Sequence, residues 1–158
     1  MNPVKIAADG YFQKIEDVSR AYLVAQGIAG IALDIDNTIV ADGETEVSLP
    51  VSSWLKNIDL PVCFLSNSKE RRAKLFADTF GLHYVCQAKK PFKMGYVKAA
   101  NLLGIDDLAK IAVIGDQLFS DILGGNMAGC YTIKTEPIDK SADPLVVKIK
   151  RWLEKFVA

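Results

Sequence analysis

The sequence of 158 residues lacks several features that would assign it to a special class of protein. No uninterrupted apolar run reaches about 18 residues, so we expect no membrane-spanning segment. The first residues lack the apolar core of a signal peptide, so we expect none there. Nineteen basic and nineteen acidic residues cancel, which gives no reason to expect a nucleic-acid partner. Neither an internal repeat nor a low-complexity tract is visible.

Cysteine is also scarce. Cys63, Cys86 and Cys130 form no C-x-x-C pair and lie in or beside apolar runs of strand length. An odd number of cysteines without a framework spacing is typical of reduced thiols, so we expect buried core residues in a cytoplasmic protein. A chain of this length can bury a core without disulfide bonds, and we predict one domain over residues 1–158.

Apolar runs of strand length alternate with helical patterns along the chain. The predicted strands are 31–35, 62–65, 84–86, 111–114 and 131–133. The predicted helices are 15–25, 51–58, 69–80, 94–103, 120–127 and 144–157. Continuous apolar runs are typical of strands that are covered on both faces. The alternation therefore predicts an α/β fold with a mainly parallel sheet and helices on both of its faces.

The predicted C-terminal helix is amphipathic. Apolar residues recur at helical spacing on one side, and lysines and an arginine lie on the other. The simpler interpretation is a helix that packs on the sheet. The alternative is a peripheral contact with an acidic membrane surface or with another protein.

Two of the apolar runs lead into pairs of acidic residues. Asp34 and Asp36 come at the end of the first run, and Asp116 and Asp121 follow the run at 111–114. Buried carboxylates are costly unless a cation or hydrogen bonds satisfy them, and magnesium prefers oxygen ligands. The carboxyl ends of parallel strands share one edge of a sheet, so these acids can form one magnesium site. For Asp121 alone, an acid favoured at a helix start is an equally good interpretation.

Groups that can bind phosphate follow other predicted strands. Ser66, Asn67 and Ser68 come just before a predicted helix, where a hydroxyl and backbone N–H groups suit a phosphate oxygen. Lys89 and Lys90 supply positive charge in a predicted loop. The alternatives are a serine that only caps the helix and a pair of solvated surface lysines.

Taken together, these motifs resemble those of the haloacid dehalogenase (HAD) superfamily: D-x-D-x-T, a Ser or Thr after the second strand, a Lys, and an acidic G-D-x-x-x-D pattern. The chain has them at 34–38, at Ser66, at Lys90 and at 115–121. The resemblance is closest to subfamily IIIA phosphatases of the YqeG type and extends to phosphatidylglycerophosphate phosphatases of organelles. It runs from about residue 11 into the C-terminal helix, and its most specific part is the string G-D-Q-L-F-S-D-I-L-G-G-N at 115–126.

The resemblance implies a magnesium-dependent phosphomonoester phosphatase that forms an aspartyl-phosphate. Asp34 would attack phosphorus, and Asp36 would protonate the leaving oxygen and then activate water. The implied magnesium ligands are the Asp34 carboxylate, the Asp36 carbonyl oxygen and Asp116. The implied phosphate ligands are Ser66, Lys90 and backbone amides near Asn37 and Asn67. The implied supporting residues are Thr38, which would order the turn, and Asp121, which would assist the metal or Lys90.

Short connections between the motifs predict a core without a cap domain. About 25 residues separate Asp36 from Pro61, and residues 87–110 leave room for one loop and one helix. We expect a small flap at 41–47 and a site that is open to large substrates. A lipid phosphate would fit such a site, and so would a small phosphorylated molecule enclosed by a neighbouring subunit of a homo-oligomer.

Two features of the chain leave alternatives open. Lys69, Arg71 and Arg72 follow the second motif and would either line the mouth of the site or form an ordinary solvated helix face. The motifs are also compatible with a phosphatase for a small soluble metabolite, or with a non-catalytic module that receives or binds phosphate. A receiving module needs neither the second aspartate of D-x-D nor a separate G-D-x-x-x-D string, so the full set favours an enzyme.

Overall fold

The computed structural model describes residue 3, residues 5–139 and residues 145–155, without the side chains of 145–148 and 150. Over these residues the chain forms one six-stranded sheet. Its strands are β1 (Gly10–Phe12), β2 (Gly30–Leu33), β3 (Val62–Leu65), β4 (His83–Val85), β5 (Ile111–Gly115) and β6 (Tyr131–Thr135). The strand order is β1-β6-β5-β2-β3-β4, and neighbouring strands are parallel. The predicted α/β fold with a mainly parallel sheet is confirmed.

Helices cover both faces of the sheet. They are α1 (Arg20–Ala25), α2 (Leu49–Asn57), α3 (Glu70–Phe80), α4 (Lys93–Leu103), α5 (Gly124–Ala128) and α6 (Leu145–Glu154), with a π-helix at Leu118–Leu123 that runs into α5. In β2, Ile31 and Leu33 pack with residues of α2 and α3, whereas Ala32 packs with residues of α4. Successive side chains of a strand point to opposite faces, so the fold has three layers.

Two of the longer helices end at glycines. Gly81 after α3 and Gly104 after α4 have φ angles of 66° and 69°. Glycine adopts this left-handed conformation without the steric cost that a Cβ brings, so the chain can leave the helix there. Each helix thereby returns the chain to the next parallel strand, as a crossover connection requires.

The N-terminal region differs from the prediction. The predicted helix 15–25 is a 3-10 turn at Ile15–Asp17 followed by α1, because Val18 between them is extended. The Ser19 hydroxyl accepts a hydrogen bond from the N–H of Tyr22 at 3.0 Å, so α1 begins with its own cap. The sequence also does not predict β1, because three residues carry too little periodicity and the partner strand β6 is distant along the chain.

No cap domain interrupts the described connections. Between β2 and β3 the chain forms a loop and α2, and between β4 and β5 it forms a loop, α4 and a short 3-10 turn. The predicted flap at 41–47 is an irregular loop. Residues 144, 156 and 157 of the predicted C-terminal helix lie outside the described residues. None of the described helices is long and apolar enough to cross a membrane.

Two of the three cysteines are buried core residues, as predicted. Cys63 and Cys130 are buried, Cys86 is half-buried, and all three are free thiols. Burial raises the pKa of the Cys63 and Cys130 thiols to about 12. A thiol that stays protonated is a poor nucleophile and a poor metal ligand, so these two cysteines contribute packing rather than chemistry.

Candidate active site

Three neighbouring strands deliver polar side chains to one edge of the sheet. Asp34 follows β2, Ser66 follows β3 and Asp116 follows β5, each directly after the last strand residue. β2 lies between the other two strands and pairs with both in parallel. All three residues are buried: Asp34 is 8% exposed, Ser66 2% and Asp116 0%. The sheet therefore gathers them into one buried cluster.

Lys90 is the buried cation of this cluster. Its Nζ donates to Oδ1 of Asp34 at 2.9 Å and to Oδ1 of Asp121 at 2.6 Å. Burial alone would lower the pKa of Lys90, but attraction to Asp121 and Asp34 outweighs burial and raises the pKa above its ordinary value. Burial and the nearby Asp34 carboxylate raise the pKa of Asp121. A charged ammonium is thus held between two carboxylates.

Asn67 fixes the main chain of Lys90. Its Oδ1 accepts from the Lys90 N–H at 2.8 Å, and its Nδ2 donates to the Lys90 carbonyl at 3.4 Å. The alternative of two solvated surface lysines is wrong for Lys90, which is buried, although Lys89 is exposed. A contact between phosphate and Asn67 or its amide stays a prediction.

Thr38 bridges two of the acids. Its Oγ1 lies 3.1 Å from Oδ2 of Asp34 and 3.4 Å from Oδ1 of Asp116, so one buried hydroxyl faces both carboxylates. The turn itself is closed by the N–H groups of Thr38 and Ile39, which donate to the Ile35 carbonyl at 3.2 and 3.0 Å. The sequence predicts that Thr38 takes part in this turn, but it does not predict that the Thr38 hydroxyl contacts the two carboxylates.

Asn37 joins the turn after Asp36 to the segment that follows β6. Its φ of 61° lies in the left-handed region, which asparagine tolerates better than most residues. Its N–H donates to the Val40 carbonyl at 2.6 Å. Its own carbonyl and its Oδ1 accept from the N–H groups of Ile138 and Asp139, each at 3.1 Å. The predicted contact of this turn with phosphate stays a prediction.

Ser66 is buried and bonded to its neighbour. Its Oγ lies 2.7 Å from Oγ of Ser68 and accepts from the Ser68 N–H at 3.0 Å. The N-cap residue of α3 is Lys69, whose side chain makes no capping hydrogen bond. The alternative in which a serine only caps the helix is therefore wrong. The predicted contact between Ser66 and phosphate stays a prediction.

The acids Asp34, Asp116 and Asp121 form a compact set. One carboxylate oxygen of each lies within 4.8 Å of the other two. Gly115 permits this arrangement, because a Cβ at that position would lie 2.3 Å from the Asp121 carboxyl group. Carboxylate oxygens suit hard divalent cations, so the set fits such an ion. The predicted metal contact through the Asp36 carbonyl stays a prediction.

The C-terminal helix adds a charge that the sequence does not predict at the site. Arg151 of α6 forms an ion pair with the Asp116 carboxylate, and its Nη1 donates to the Asp116 carbonyl at 3.1 Å. Glu154 is buried and accepts from the Leu118 N–H at 2.8 Å. The amphipathic pattern predicts that the apolar side of this helix packs on the fold. Instead, Ile149, Trp152 and Leu153 of that side are largely exposed, and charged residues of the helix contact the fold.

Asp36 is contacted by Arg72 rather than by the buried acids. Nε and Nη2 of Arg72 donate to Oδ1 of Asp36 at 3.0 and 2.6 Å. Nη2 also donates to the Glu44 carbonyl at 2.7 Å, and the guanidinium lies over the ring of Phe76, 5.2 Å from its centroid. The sequence places Arg72 near the mouth or on a solvated face, but does not predict its contact with Asp36.

An open groove of about 700 Å³ lies beside Arg72. Its lining includes Lys69, which precedes α3, and Arg71 and Lys74 of α3. Lys74 pairs at 2.7 Å with Asp78, the one acid among the described residues that line the groove. Lys69 and Arg71 are exposed. The groove therefore gives anionic molecules a positively charged approach next to the second motif.

Comparisons with known proteins agree with this geometry. Residues 87–136 match a family model described as HAD-hydrolase-like. The chain is 30% identical to "Probable phosphatase YqeG" of Bacillus subtilis (strain 168) over 152 residues, which are 94% of this chain and 87% of that protein. It is 24% identical over 155 residues to "Phosphatidylglycerophosphate phosphatase 1, chloroplastic/mitochondrial" of Arabidopsis thaliana, with 84% of this chain and 44% of that protein covered.

Two solved structures have a similar fold. A HAD superfamily (subfamily III A) hydrolase from Legionella pneumophila gives a TM-score of 0.53 at 14% identity, covering 83% of this chain and 86% of that chain. The cobalt-bound deoxy-D-mannose-octulosonate 8-phosphate phosphatase from Haemophilus influenzae gives 0.51 at 19% identity, covering 79% and 75%. Identities this low concern the fold alone. Because the identity to the Bacillus protein extends over nearly the whole chain, this chain belongs to the YqeG-type phosphatases.

Proposed function

We propose that this phosphatase hydrolyses a phosphomonoester carried by a lipid or another large molecule, using magnesium and an aspartyl-phosphate on Asp34. The observation that carries the proposal is the environment of Asp34. Its buried carboxylate accepts from Lys90 at 2.9 Å and lies in a compact set with Asp116 and Asp121. A carboxylate beside a fixed cation and a set of metal-binding oxygens supports nucleophilic attack on a phosphate.

The proposed reaction has two steps. First, a carboxylate oxygen of Asp34 attacks phosphorus, the bond to the leaving oxygen breaks, and Asp36 gives its proton to that oxygen. Then water attacks the phosphorus of the aspartyl-phosphate, Asp36 takes a proton from this water, and Asp34 departs as a carboxylate. The groups proposed to bind the transferred phosphoryl group are the Lys90 ammonium, the Ser66 hydroxyl and amides near Asn37 and Asn67.

Magnesium is the proposed metal. The Asp34 and Asp116 carboxylates and the Asp36 carbonyl would hold it, while Asp121 would keep Lys90 in place through their 2.6 Å contact. When bound, the ion neutralises negative charge on the phosphate oxygens. The Haemophilus phosphatase was solved in a cobalt-bound form, which supports a divalent ion in this fold.

Four observations support a large substrate. The described connections hold no cap domain, and the groove beside the site carries the exposed Lys69 and Arg71. The Arabidopsis relative is named a phosphatidylglycerophosphate phosphatase. On α6, Ile149, Trp152 and Leu153 are 51%, 57% and 43% exposed, which supports a peripheral contact with an acidic membrane surface.

The substrate class is tested with esters that differ in their acyl chains. The purified protein with Mg²⁺ is assayed on phosphatidylglycerophosphate in detergent micelles and on the same head group without acyl chains, with Asp34→Asn as the control for contaminating phosphatases. We expect kcat/KM to be at least about tenfold higher for the lipid, because remote contacts add binding energy.

Each other outcome has a defined meaning. Hydrolysis of soluble sugar phosphates without hydrolysis of the lipid would contradict the lipid substrate and support a small-metabolite phosphatase. No repeated turnover of any ester, including p-nitrophenyl phosphate, would contradict catalysis and support a module that only receives or binds phosphate.

A further inference from the structure

Arg72 contacts the carboxylate that is proposed as the acid and base of the reaction. We infer that Arg72 is a positioning residue: it anchors one oxygen of Asp36, leaves the other for proton exchange, and links this orientation to the flap at 41–47. The inference rests on the proposed role of Asp36, and it adds a residue that the motifs do not contain.

The hydrogen bonds to Asp36 are one-sided. Nε and Nη2 of Arg72 both donate to Oδ1, at 3.0 and 2.6 Å. No described residue donates to Oδ2. A guanidinium holds its N–H groups in one rigid plane, so two donors on one oxygen fix the direction of the carboxyl group. One oxygen of Asp36 is therefore anchored, while the other is available to give or take a proton.

The Arg72–Asp36 pair is only partly shielded from water. The side chains of Arg72 and Asp36 are 21% and 26% exposed. Water still reaches the pair and screens its charges, and both side chains lose conformational freedom, so the pair stabilises the fold less than a fully buried pair of this geometry would. Whatever it adds to stability, the pair also fixes the orientation of Asp36.

Arg72 is itself fixed from two other directions. Its guanidinium lies 5.2 Å from the ring centroid of Phe76, one helical turn further along α3, and Phe76 is buried. Its Nη2 donates to the carbonyl of Glu44 in the flap at 2.7 Å. A movement of the flap would therefore change the position of Arg72 and, through it, the direction of the Asp36 carboxyl group.

The first test compares two leaving groups. An alkyl phosphate such as glycerol 2-phosphate needs a proton on its leaving oxygen, whereas nitrophenolate leaves p-nitrophenyl phosphate without one. The kcat/KM value reports only the steps up to departure of this group. In Arg72→Ala we expect kcat/KM to fall about 100-fold for the alkyl ester, within the range of general acid catalysis, and only a few-fold for the nitrophenyl ester. Arg72→Lys should resemble Arg72→Ala, because one ammonium cannot replace the two-donor plane.

Two variants make the outcomes distinguishable. Arg20→Ala removes an exposed ion pair between Arg20 of α1 and Asp59, just after α2, and should leave both kcat/KM values unchanged. Asp36→Asn should show the same dependence on the leaving group as Arg72→Ala, and kcat/KM of the double variant should be little lower than that of Asp36→Asn.

If Asp36→Asn lowers kcat/KM equally for the two esters, the acid role of Asp36 fails and the inference fails with it. If Asp36→Asn discriminates but Arg72→Ala does not, or if lysine restores the wild-type values, only the positioning role is overturned.

The second test needs no catalysis. Hydrogen exchange of the backbone amides at 41–47 should become faster in Arg72→Ala, because the contact with the Glu44 carbonyl is lost, and should not change in Arg20→Ala. Unchanged exchange of the flap in Arg72→Ala would show that Arg72 does not link the flap to Asp36.

Discussion

At the residue scale, the site depends on polar groups that are both buried and hydrogen-bonded. Lys90 donates to the Asp34 carboxylate at 2.9 Å, and Thr38 donates to the same carboxylate at 3.1 Å. A buried polar group that loses its partner costs free energy, so each partner also stabilises the fold. Changes at these residues are therefore expected to act on activity and stability by different amounts.

Replacing Asp34 by Asn is expected to separate the two effects. The substitution removes the nucleophile but keeps the size of the side chain, so turnover of p-nitrophenyl phosphate with Mg²⁺ should fall by at least about 1,000-fold. Lys90 keeps its 2.6 Å contact with Asp121, so the buried ammonium retains a partner and Tm should change by less than about 5 °C. Steady-state kinetics and thermal melting check both expectations. Turnover close to the wild-type rate would exclude Asp34 as the nucleophile.

Thr38→Val and Thr135→Val form a matched pair. Both threonines are buried, but among the described residues the Thr135 hydroxyl has no hydrogen-bond partner. Thr38→Val removes a donor to charged oxygens, so unfolding free energy should fall by about 1.5–3 kcal/mol and kcat/KM by about 10–100-fold. Thr135→Val should leave activity within about twofold and keep or raise stability. Denaturant unfolding measures the change in stability, and steady-state kinetics measures the change in kcat/KM. Equal changes in Thr38→Val and Thr135→Val would show that the Thr38 hydroxyl contributes nothing beyond packing.

The sequence predicts residues of the site that stand in motifs directly after apolar runs. Asp34 and Asp116 are such residues, because the ends of parallel strands meet at one edge of the sheet. The contacts of Arg72 with Asp36 and of Arg151 with Asp116 cannot be predicted in this way. Their contacts depend on how α3 and α6 lie against that edge, which no local pattern specifies.

At the element scale, the longer helices and central strands are predictable and the N-terminal elements are not. The run at 111–114 and the helix that ends at Gly104 have enough residues to show a period. β1 has three residues and exists through its pairing with β6, and the predicted helix 15–25 is interrupted by the extended Val18. Helix α6 is predicted as an element, but its effect on the charge of the site arises only in the folded chain.

Replacing Arg151 by Gln is expected to strengthen magnesium binding. Its guanidinium pairs with Asp116, one of three clustered carboxylates, and so competes with a cation for that residue. The Mg²⁺ concentration at the midpoint of the metal-induced rise in Tm should fall by about 3–10-fold. Lys155→Gln removes the same charge from an exposed position just after α6 and should leave the midpoint unchanged. An unchanged midpoint in Arg151→Gln, or an equal shift in both variants, would contradict the competition.

At the scale of the whole molecule, zero net charge conceals an uneven distribution. Residues 148–155 hold three lysines and an arginine against one glutamate. The same segment exposes Ile149 and Leu153, and the groove beside the site adds the basic side chains of α3. A helix with basic and apolar groups binds well at the surface of an acidic membrane. Its basic groups are attracted to the anionic lipids, and its apolar groups are buried at the interface.

A membrane contact through α6 predicts sedimentation with phosphatidylglycerol vesicles, weaker at high salt, and little sedimentation with phosphatidylcholine vesicles. Burying one apolar side chain contributes about 1.5–3 kcal/mol, so the double variant Ile149→Ser, Leu153→Ser should weaken partition at least about tenfold. Leu49→Ser, at an 80% exposed position on α2, is the matched control and should sediment like the wild type. If the double variant also sediments like the wild type, α6 is not the contact. If the wild type does not sediment with acidic vesicles at low salt, the protein reaches its substrate without a membrane contact of this kind.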